Sequence, residues 1–243
     1  MRIPRVHIGA ELVVGEKVLL DKSQSHYLKH VLRLQSGAAL LLFNGLEAID
    51  YRATLLIEGK QVKAAINSAL ALQTESGLDC EIIQGMGRSD HMDWVIQKTT
   101  ELGVNRIAIF NAERTQSPLK SKQLEKKLVH WRGVAISACE QSGRAVIPAL
   151  NFHTNLEQAI AASSSESGLL LDFDGAALAS ALRPLPQTIS ILLGPEGGLT
   201  QPEIQLAKTA GFTSVRLGPR ILRTETAATA AMAIVQSVVG DLG

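Results

Sequence analysis

Two glycine turns carry the residue types in this sequence that are suited to holding a small molecule. The first turn, Gly194-Pro195-Glu196-Gly197-Gly198, follows the apolar run Ile189–Leu193, and Thr200 and Glu203 then have the spacing of a helix capping box. A strand, a glycine turn and a helix in succession let a cofactor approach bare backbone. The turn matches neither the dinucleotide-binding nor the P-loop pattern, and its carboxylate disfavours a phosphate.

The second turn is Leu217-Gly218-Pro219-Arg220-Ile221-Leu222-Arg223, and Thr224-Glu225 begins the helical segment after it. In a doubly wound sheet, ligands bind in the crevice at the carboxyl ends of the strands. Gly-Pro pairs are also typical of simple tight turns. Because Glu196, Arg220 and Arg223 accompany the two turns, the sequence favours one functional crevice.

An α/β fold with a mostly parallel, doubly wound sheet is predicted to position these turns, because apolar strands alternate with helices after residue 77. The predicted strands are 80–84, 106–111, 169–173, 189–193 and 214–217, and the predicted helices are 90–103, 121–142, 154–163, 176–183, 200–210 and 224–239. The last helix is nearly free of charge, so we expect it to be buried all round. Its composition leaves open whether the core of one chain or a second copy covers it.

The first 70 residues have the short strands and turns of a small β-barrel. We predict a hairpin of Val13-Val14 and Val18–Leu20 around Gly15-Glu16-Lys17. A helix is predicted over 21–34, strands over 39–43, 50–57 and 61–66, and a linker over 67–77. The predicted domains are therefore 1–70 and 71–243.

Composition excludes few function classes. The chain has 243 residues, 46% of them hydrophobic, with 24 Lys and Arg against 23 Asp and Glu. Residues 1–70 hold nine basic and six acidic residues, so the basic excess lies there. Cys80 and Cys139 lack metal-ligand spacing, which argues against a disulfide framework or metal site and favours a reducing cytoplasm. The start lacks a signal-peptide pattern, and the apolar run 38–43 is too short to span a membrane.

Five stretches together resemble the RsmE family of SPOUT-class ribosomal RNA methyltransferases. They are Gly194–Thr200, Leu217–Ala227, Met92-Asp93-Trp94 with Lys98–Val104, Glu113-Arg114-Thr115, and Glu140–Arg144 with Pro148. The resemblance implies a PUA-like N-terminal barrel that binds RNA and a trefoil-knotted C-terminal methyltransferase domain. It also implies a homodimer that uses S-adenosylmethionine and releases S-adenosylhomocysteine. The expected reaction is methylation of N3 of a decoding-region uridine in 16S rRNA of the small ribosomal subunit.

On this resemblance the two turns and nearby apolar side chains hold the cofactor. The expected cofactor-binding residues are Leu171, Leu193, Gly194, Pro195, Glu196, Gly197, Gly198, Leu217, Gly218, Ile221, Leu222 and Arg223. Uridine N3 must lose a proton, and Arg223 is the first candidate to stabilise the charge that develops on the ring. A structural ion pair of Arg223 with Glu225 or Glu196 is the alternative. Glu196, Glu225 and solvent are the candidate proton acceptors.

Basic residues are the candidates for RNA contacts. The segment from Arg114 to Arg132 holds six basic residues and one acidic residue, although such runs are also typical of a solvated helix face. Arg144 could serve RNA or the partner protomer. The expected RNA-binding residues are Arg2, Arg5, Lys29, Arg33, Arg114, Lys120, Lys126, Lys127 and Arg144.

Two alternatives to the 16S rRNA methyltransferase stay open at this point. One is a catalytically silent RNA-binding or ribosome-assembly protein of the same fold. The other is a SPOUT methyltransferase that acts on a different RNA. Calorimetry with S-adenosylmethionine separates the first alternative from an enzyme.

Overall fold

The computed structural model describes residues 3–243, and the chain divides into two compact units. The first unit contains the residues up to Glu75 together with Cys139–Ile147, and the second contains Ser76–Ala138 and Pro148–Gly243. Glu75 ties the inserted segment to the first unit, because its Oε1 accepts hydrogen bonds from the N–H groups of Ala145 and Val146. Sequence patterns do not reveal such a long-range contact.

The first unit is built on a five-stranded sheet in the order β1-β3-β4-β5-β2. Strands β1 and β3 are parallel and the other neighbours are antiparallel. The strands are β1 Arg5–His7, β2 Lys17–Leu19, β3 Ala39–Phe43, β4 Ile49–Glu58 and β5 Gln61–Ala71. Alternating apolar residues of β3, β4 and β5 and the helical residue Leu28 form its core.

Three sequence predictions are wrong in this unit. Val13 and Val14 are not in a strand, because β2 pairs with β5 instead and leaves both side chains largely exposed. The predicted linker begins inside β5, which continues to Ala71 by pairing with β4. The predicted helix 21–34 is shorter: α1 spans Lys22–His26, and a π-helical segment follows over Tyr27–Val31.

The second unit contains a six-stranded sheet in the order β11-β9-β10-β6-β7-β8, and every neighbouring pair is parallel. This confirms the predicted α/β architecture. The strands are β6 Asp79–Gly85, β7 Arg106–Phe110, β8 Ala149–His153, β9 Ser167–Ala177, β10 Thr188–Leu193 and β11 Phe212–Arg216. The edge strand β8 was not predicted: Leu150 and Phe152 alternate with polar residues, but the run is only five residues long.

Helices follow the strands at the predicted places. They are α2 Ser89–Glu101, α3 Ser121–Ser142, α4 Leu156–Ala162, α5 Leu178–Ala181, α6 Gln201–Thr209 and α7 Thr224–Val238. The capping box is confirmed, since Thr200 and Glu203 cap α6 reciprocally. Helix α5 is shorter than predicted, because β9 continues to Ala177 and occupies its expected first residues. Among residues 3–243 no helix is both long and apolar enough to cross a membrane.

Helix α7 is not buried all round within one chain. Its buried residues are Ala228, Ala231, Met232, Val235 and Gln236, which is the spacing of a single helix face. The opposite face, which includes Ala227, Ala230 and Ile234, is half-exposed. One apolar face of α7 therefore packs in the core of this chain, and the opposite apolar face does not.

Candidate functional site

The two glycine turns lie at one edge of the parallel sheet. Strand β10 ends at Leu193 and β11 ends at Arg216, and β9 pairs with both. Since parallel strands end on the same side, the turns that follow β10 and β11 occur at the same edge. Leu171, on β9, is half-buried.

Direct hydrogen bonds join the two turns. The carbonyl oxygen of Gly194 accepts from the Thr224 hydroxyl at 3.0 Å and from the Gln84 side-chain amide at 3.2 Å. The same amide donates to the Thr224 hydroxyl at 3.1 Å. Gln84 is fully buried beside Leu193, so its end of these partly buried bonds is shielded from water. The start of α7 is thereby fixed to the first turn.

His91 makes a second bridge between the turns. Its Nδ1 lies 2.7 Å from Glu196 Oε1 and 3.7 Å from Glu225 Oε2. The N–H of Arg88 also donates to Glu196 Oε1 at 2.9 Å. Glu225 Oε2 is buried and has no hydrogen-bond partner among the described residues. One imidazole on the first turn of α2 therefore faces a carboxylate of the first glycine turn and a carboxylate at the start of α7, directly after the second turn.

The contacts of Glu196 fix its charge and the tautomer of His91. Burial alone would raise the pKa of Glu196, but hydrogen bonds from the N–H of Arg88, from its own N–H and from His91 lower it below the usual value. Glu196 is therefore an ionised acceptor at neutral pH. A carboxylate only accepts, so the hydrogen of the imidazole facing it is on Nδ1.

Two further glycines allow this packing. A Cβ on Gly85 would lie 2.6 Å from Pro195 Cδ, and a Cβ on Gly87 would lie 2.9 Å from Glu196 Oε1. The first turn therefore packs directly on bare backbone at the end of β6 and just beyond it. Sequence reasoning missed Gln84 and His91, although the Gly85-Met86-Gly87 spacing after a strand was a signal of close approach.

Arg114 supports the first turn from another side. Its guanidinium donates to the carbonyl oxygens of Gly197 at 3.3 Å and Leu199 at 3.4 Å. A Cβ on Gly197 would lie 3.1 Å from Arg114 Cβ. The predicted RNA contact of Arg114 stays a prediction, but its side chain is already engaged with the turn.

The exposed parts of both turns fit the expected sulfonium cofactor. Gly218 presents bare backbone with open space beside it, while the Gly197 carbonyl already accepts from Arg114. Ile221 is 82% exposed, and Leu217 and Leu222 are half-buried. Apolar side chains beside an open glycine backbone suit a ligand with an adenosyl group. Leu193 and Pro195 are buried, and their expected cofactor contacts stay a prediction.

Arg223 is an exposed cation beside the second turn. It is exposed immediately before α7, and its guanidinium makes no hydrogen bond or ion pair with another described residue. The alternative ion pair with Glu196 or Glu225 is therefore not formed. An arginine held at a turn with its donors available can bind developing negative charge.

The predicted RNA-binding residues differ in their exposure and in the contacts that they already make. Lys29 is half-buried in the π-helical segment, and Arg33, Lys120 and Lys126 are exposed. Lys127 donates to Ser89 Oγ at 2.6 Å, so it already has a partner. Arg2 lies outside the described residues.

Arg5 and Arg144 are buried in contacts within the protein, which argues against their predicted RNA contacts. Arg5 donates twice to Asp50, at 3.0 and 2.7 Å, and also to the carbonyl oxygen of Cys139. Arg144 donates to Glu75 Oε2 at 2.9 and 2.7 Å. Both side chains are buried, at 8% and 3% exposure, which leaves neither guanidinium a surface from which to reach RNA.

Metal ligands are not clustered in the part of the chain that the structure describes. No group of three or more His, Cys, Asp or Glu side chains there has the arrangement of a metal site. Burial raises the pKa of Cys80 to about 12 and that of Cys139 to about 11, so neither thiol is a ready ligand.

Two family models match parts of this chain. Residues 74–236 match the model of an RNA methyltransferase domain, and residues 20–66 match that of an RNA methyltransferase PUA domain. Ribosomal RNA small subunit methyltransferase E of Buchnera aphidicola subsp. Schizaphis graminum is 34% identical over 246 residues, which cover 99% of this chain and 98% of the relative.

Two solved structures resemble the whole chain. A putative methyltransferase from Legionella pneumophila, in complex with S-adenosylmethionine, has a TM-score of 0.94 and 33% identity and covers 100% of both chains. A ribosomal RNA small subunit methyltransferase E from Neisseria gonorrhoeae, also bound to S-adenosylmethionine, has a TM-score of 0.90 and 35% identity with the same coverage. The chain therefore belongs to the ribosomal RNA small subunit methyltransferase E family, the RsmE family that its glycine turns resemble.

Proposed function

We propose that this protein methylates N3 of a decoding-region uridine in 16S rRNA, with S-adenosylmethionine as the methyl donor. The observation that carries the proposal is the pair of glycine turns joined by Thr224, Gln84 and His91. Family membership and the cofactor bound to two similar structures support it. S-adenosylmethionine supplies an electrophilic methyl group, so the protein has to position two reactants and manage one proton.

The cofactor would be held by the backbone of Gly194–Gly198 and Leu217–Leu222. Both segments project from strand ends that hydrogen bonds and packed glycines fix in place. A binding site whose backbone is already fixed loses less conformational entropy when the cofactor binds. Leu171, Leu217, Ile221 and Leu222 would cover the apolar parts of the ligand.

Arg223 would stabilise the uracil anion. Removal of the N3 proton spreads negative charge onto the ring carbonyl oxygens, and a fixed guanidinium there binds the transition state more strongly than the neutral base. The absence of an ion pair with any described residue leaves Arg223 available for this role.

Glu196 and Glu225 would position the turns, and solvent would take the N3 proton. The lowered pKa of Glu196 makes it a weak base. The unpartnered oxygen of Glu225 is buried beside His91, so substrate does not reach it in this conformation. Of the three candidate proton acceptors, Glu196, Glu225 and solvent, the proposal therefore keeps solvent.

The remaining parts of the proposal follow the family resemblance. The PUA domain would bind the RNA of the small subunit, and the methyltransferase domain would have the trefoil-knotted SPOUT topology. The half-exposed face of α7 supports a homodimer, because an uncharged helix face favours burial against a second copy. Such an enzyme would act in the cytoplasm.

Nucleoside mass spectrometry tests the reaction. Small subunits from cells that lack the corresponding gene are incubated with the purified protein and labelled S-adenosylmethionine. Label in N3-methyluridine of the 16S rRNA is the expected result. Label in another nucleoside would show a methyltransferase with a different substrate. Full cofactor and RNA binding without any label would indicate the catalytically silent alternative. Running free 16S rRNA in parallel identifies the form of the substrate.

A further inference from the structure

A basic groove on the first unit is not explained by the methyltransferase site. It has a volume of about 350 Å³ and lies between α1 with the π-helical segment and the β2 and β5 strands. Its lining includes three lysines and two histidines but no carboxylate: Lys22, His26, Lys29, His30 and Lys60. A concave surface with one sign of charge attracts an anionic ligand.

The lysines of this groove have no acidic partner. Lys22, Lys29 and Lys60 make no hydrogen bond or ion pair with any residue in the described range 3–243. By contrast, Lys63, which lies on β5 but outside the groove, is paired with Glu58 at 2.8 Å. The groove therefore keeps its positive charge uncompensated by the protein.

The groove also offers surfaces on which a flat ring can pack. The His26 and His30 rings lie with their centroids 5.0 Å apart, and both side chains are exposed. Leu19 stands at the opposite wall and is 60% exposed. Imidazole rings and an exposed leucine beside free lysines match the two halves of a nucleotide, the base and the phosphate.

The backbone beneath the groove is irregular in the way that functional sites often are. The N–H of Leu32 donates to the carbonyl oxygen of Tyr27, five residues back instead of the four of an α-helix. Arg33 then adopts a φ of 53°, a conformation uncommon for a residue other than glycine. This geometry places Lys29 and His30 on the groove instead of continuing a regular helix.

We propose that this groove binds one unpaired nucleotide of the RNA substrate, with its phosphates on the lysines and its base against His26, His30 or Leu19. The inference rests on the proposed function in that it takes RNA as the substrate. A cavity of this volume has room for a single nucleotide but not for a duplex, and the mixed apolar and cationic lining favours a base with its phosphate over phosphate alone.

The test compares two charge-matched triple variants of the full-length protein. Lys22→Gln/Lys29→Gln/Lys60→Gln removes the groove lysines, and Lys17→Gln/Arg52→Gln/Lys63→Gln removes three basic residues of the same sheet outside the groove. Affinity for a fluorescent single-stranded fragment of 16S rRNA is measured between 50 and 200 mM salt, conditions chosen because phosphate contacts weaken across roughly this range. Thermal melts and calorimetry with S-adenosylmethionine report folding and the methyltransferase site separately.

The groove variant is expected to bind about tenfold more weakly at the lowest salt, with a salt slope reduced by roughly one to two, since each phosphate contact of a single strand contributes about 0.7. The control variant should change affinity by less than about threefold. His30→Ala should weaken binding about fivefold with the slope unchanged, because stacking is not ionic. Uridine monophosphate should displace the fluorescent RNA only at a far higher concentration than the unlabelled RNA fragment does. Such a result would show that the groove binds a nucleotide as part of an RNA chain.

Equal losses in the two triple variants would overturn the groove assignment, as would a groove variant with unchanged affinity. Failure of the proposed function has a different signature. In that case the wild-type protein would leave the uridine unmethylated while the groove variant still lost RNA affinity. Normal methylation by wild type together with unchanged RNA binding by the groove variant would reject the groove alone.

Discussion

Replacing His91 with alanine tests whether the cofactor turns depend on the imidazole that joins them. His91 Nδ1 donates to Glu196 at 2.7 Å and lies 3.7 Å from the buried, unpartnered oxygen of Glu225. Without the ring, Glu196 keeps the N–H of Arg88, but the two carboxylates face each other without a donor between them. We expect the first turn to become looser and the cofactor to bind more weakly.

The expected size follows from the exposure of the pair. A hydrogen bond to a charged group contributes about 1.5–3 kcal/mol. The side chains of His91 and Glu196 are 18% and 28% exposed, so water replaces part of the lost bond and the lower end of that range applies. A loss of about 1.4 kcal/mol in binding corresponds to roughly a tenfold higher Kd for S-adenosylmethionine.

Calorimetric titration of the purified protein with S-adenosylmethionine measures this change directly. His91→Asn is the conservative variant, because an amide nitrogen can donate from about the position of Nδ1, and it should recover much of the affinity. His130→Ala is the matched control: His130 pairs with Asp93 at 2.9 Å in the same unit but makes no contact with either turn. Its Kd should stay within about twofold of wild type.

Two results would refute the reasoning. If His91→Ala bound the cofactor as tightly as wild type, the bridge would have no role in preorganising the turns. If His130→Ala lost as much affinity as His91→Ala, the effect would reflect general destabilisation of the unit. Chemical unfolding without cofactor measures stability independently. For His91→Ala we expect the free energy of unfolding to fall by no more than about 1.5 kcal/mol.

The other predictions concern single groups. Arg223→Ala should lower turnover by on the order of 100-fold with cofactor affinity nearly unchanged, which single-turnover assays and calorimetry measure. Burial raises the pKa of Glu140 despite the hydrogen bond from the N–H of His7, so its ionised form destabilises the fold at neutral pH. Glu140→Gln should therefore raise the Tm at pH 7, and the gain should vanish as the pH falls below the usual glutamate range. Burial raises the pKa of Cys80 to about 12 and that of Cys139 to about 11, so both should resist iodoacetamide at pH 8 until the protein unfolds, as mass spectrometry detects.

Each of these has a contradicting result. Unchanged turnover in Arg223→Ala would remove this side chain from the mechanism. A Tm of Glu140→Gln that is equal to or below that of wild type at pH 7 would mean that the hydrogen bond and nearby charge outweigh burial. Rapid alkylation of either cysteine in the folded protein would show that its surroundings open readily.

The strongly periodic elements were predictable because local patterns specify them. Strand β3 and helix α3 have the predicted bounds, and the capping box of α6 depends only on Thr200 and Glu203. Elements whose bounds depend on a partner strand far away in the chain were not predictable from local patterns. Strand β2 pairs with β5, and β5 extends through the predicted linker, because the strand opposite supplies the hydrogen bonds.

For the site, the sequence determined that two glycine turns follow two strands and that Arg223 stands beside the second. It also determined the family, through motifs spread along the chain. Only the tertiary structure decided that Gln84 and His91 join the turns and that Arg5 and Arg144 are buried. Hydrogen-bond partners and burial depend on residues far apart in the chain, so a charged side chain looks the same in sequence whether it faces RNA or a buried carboxylate.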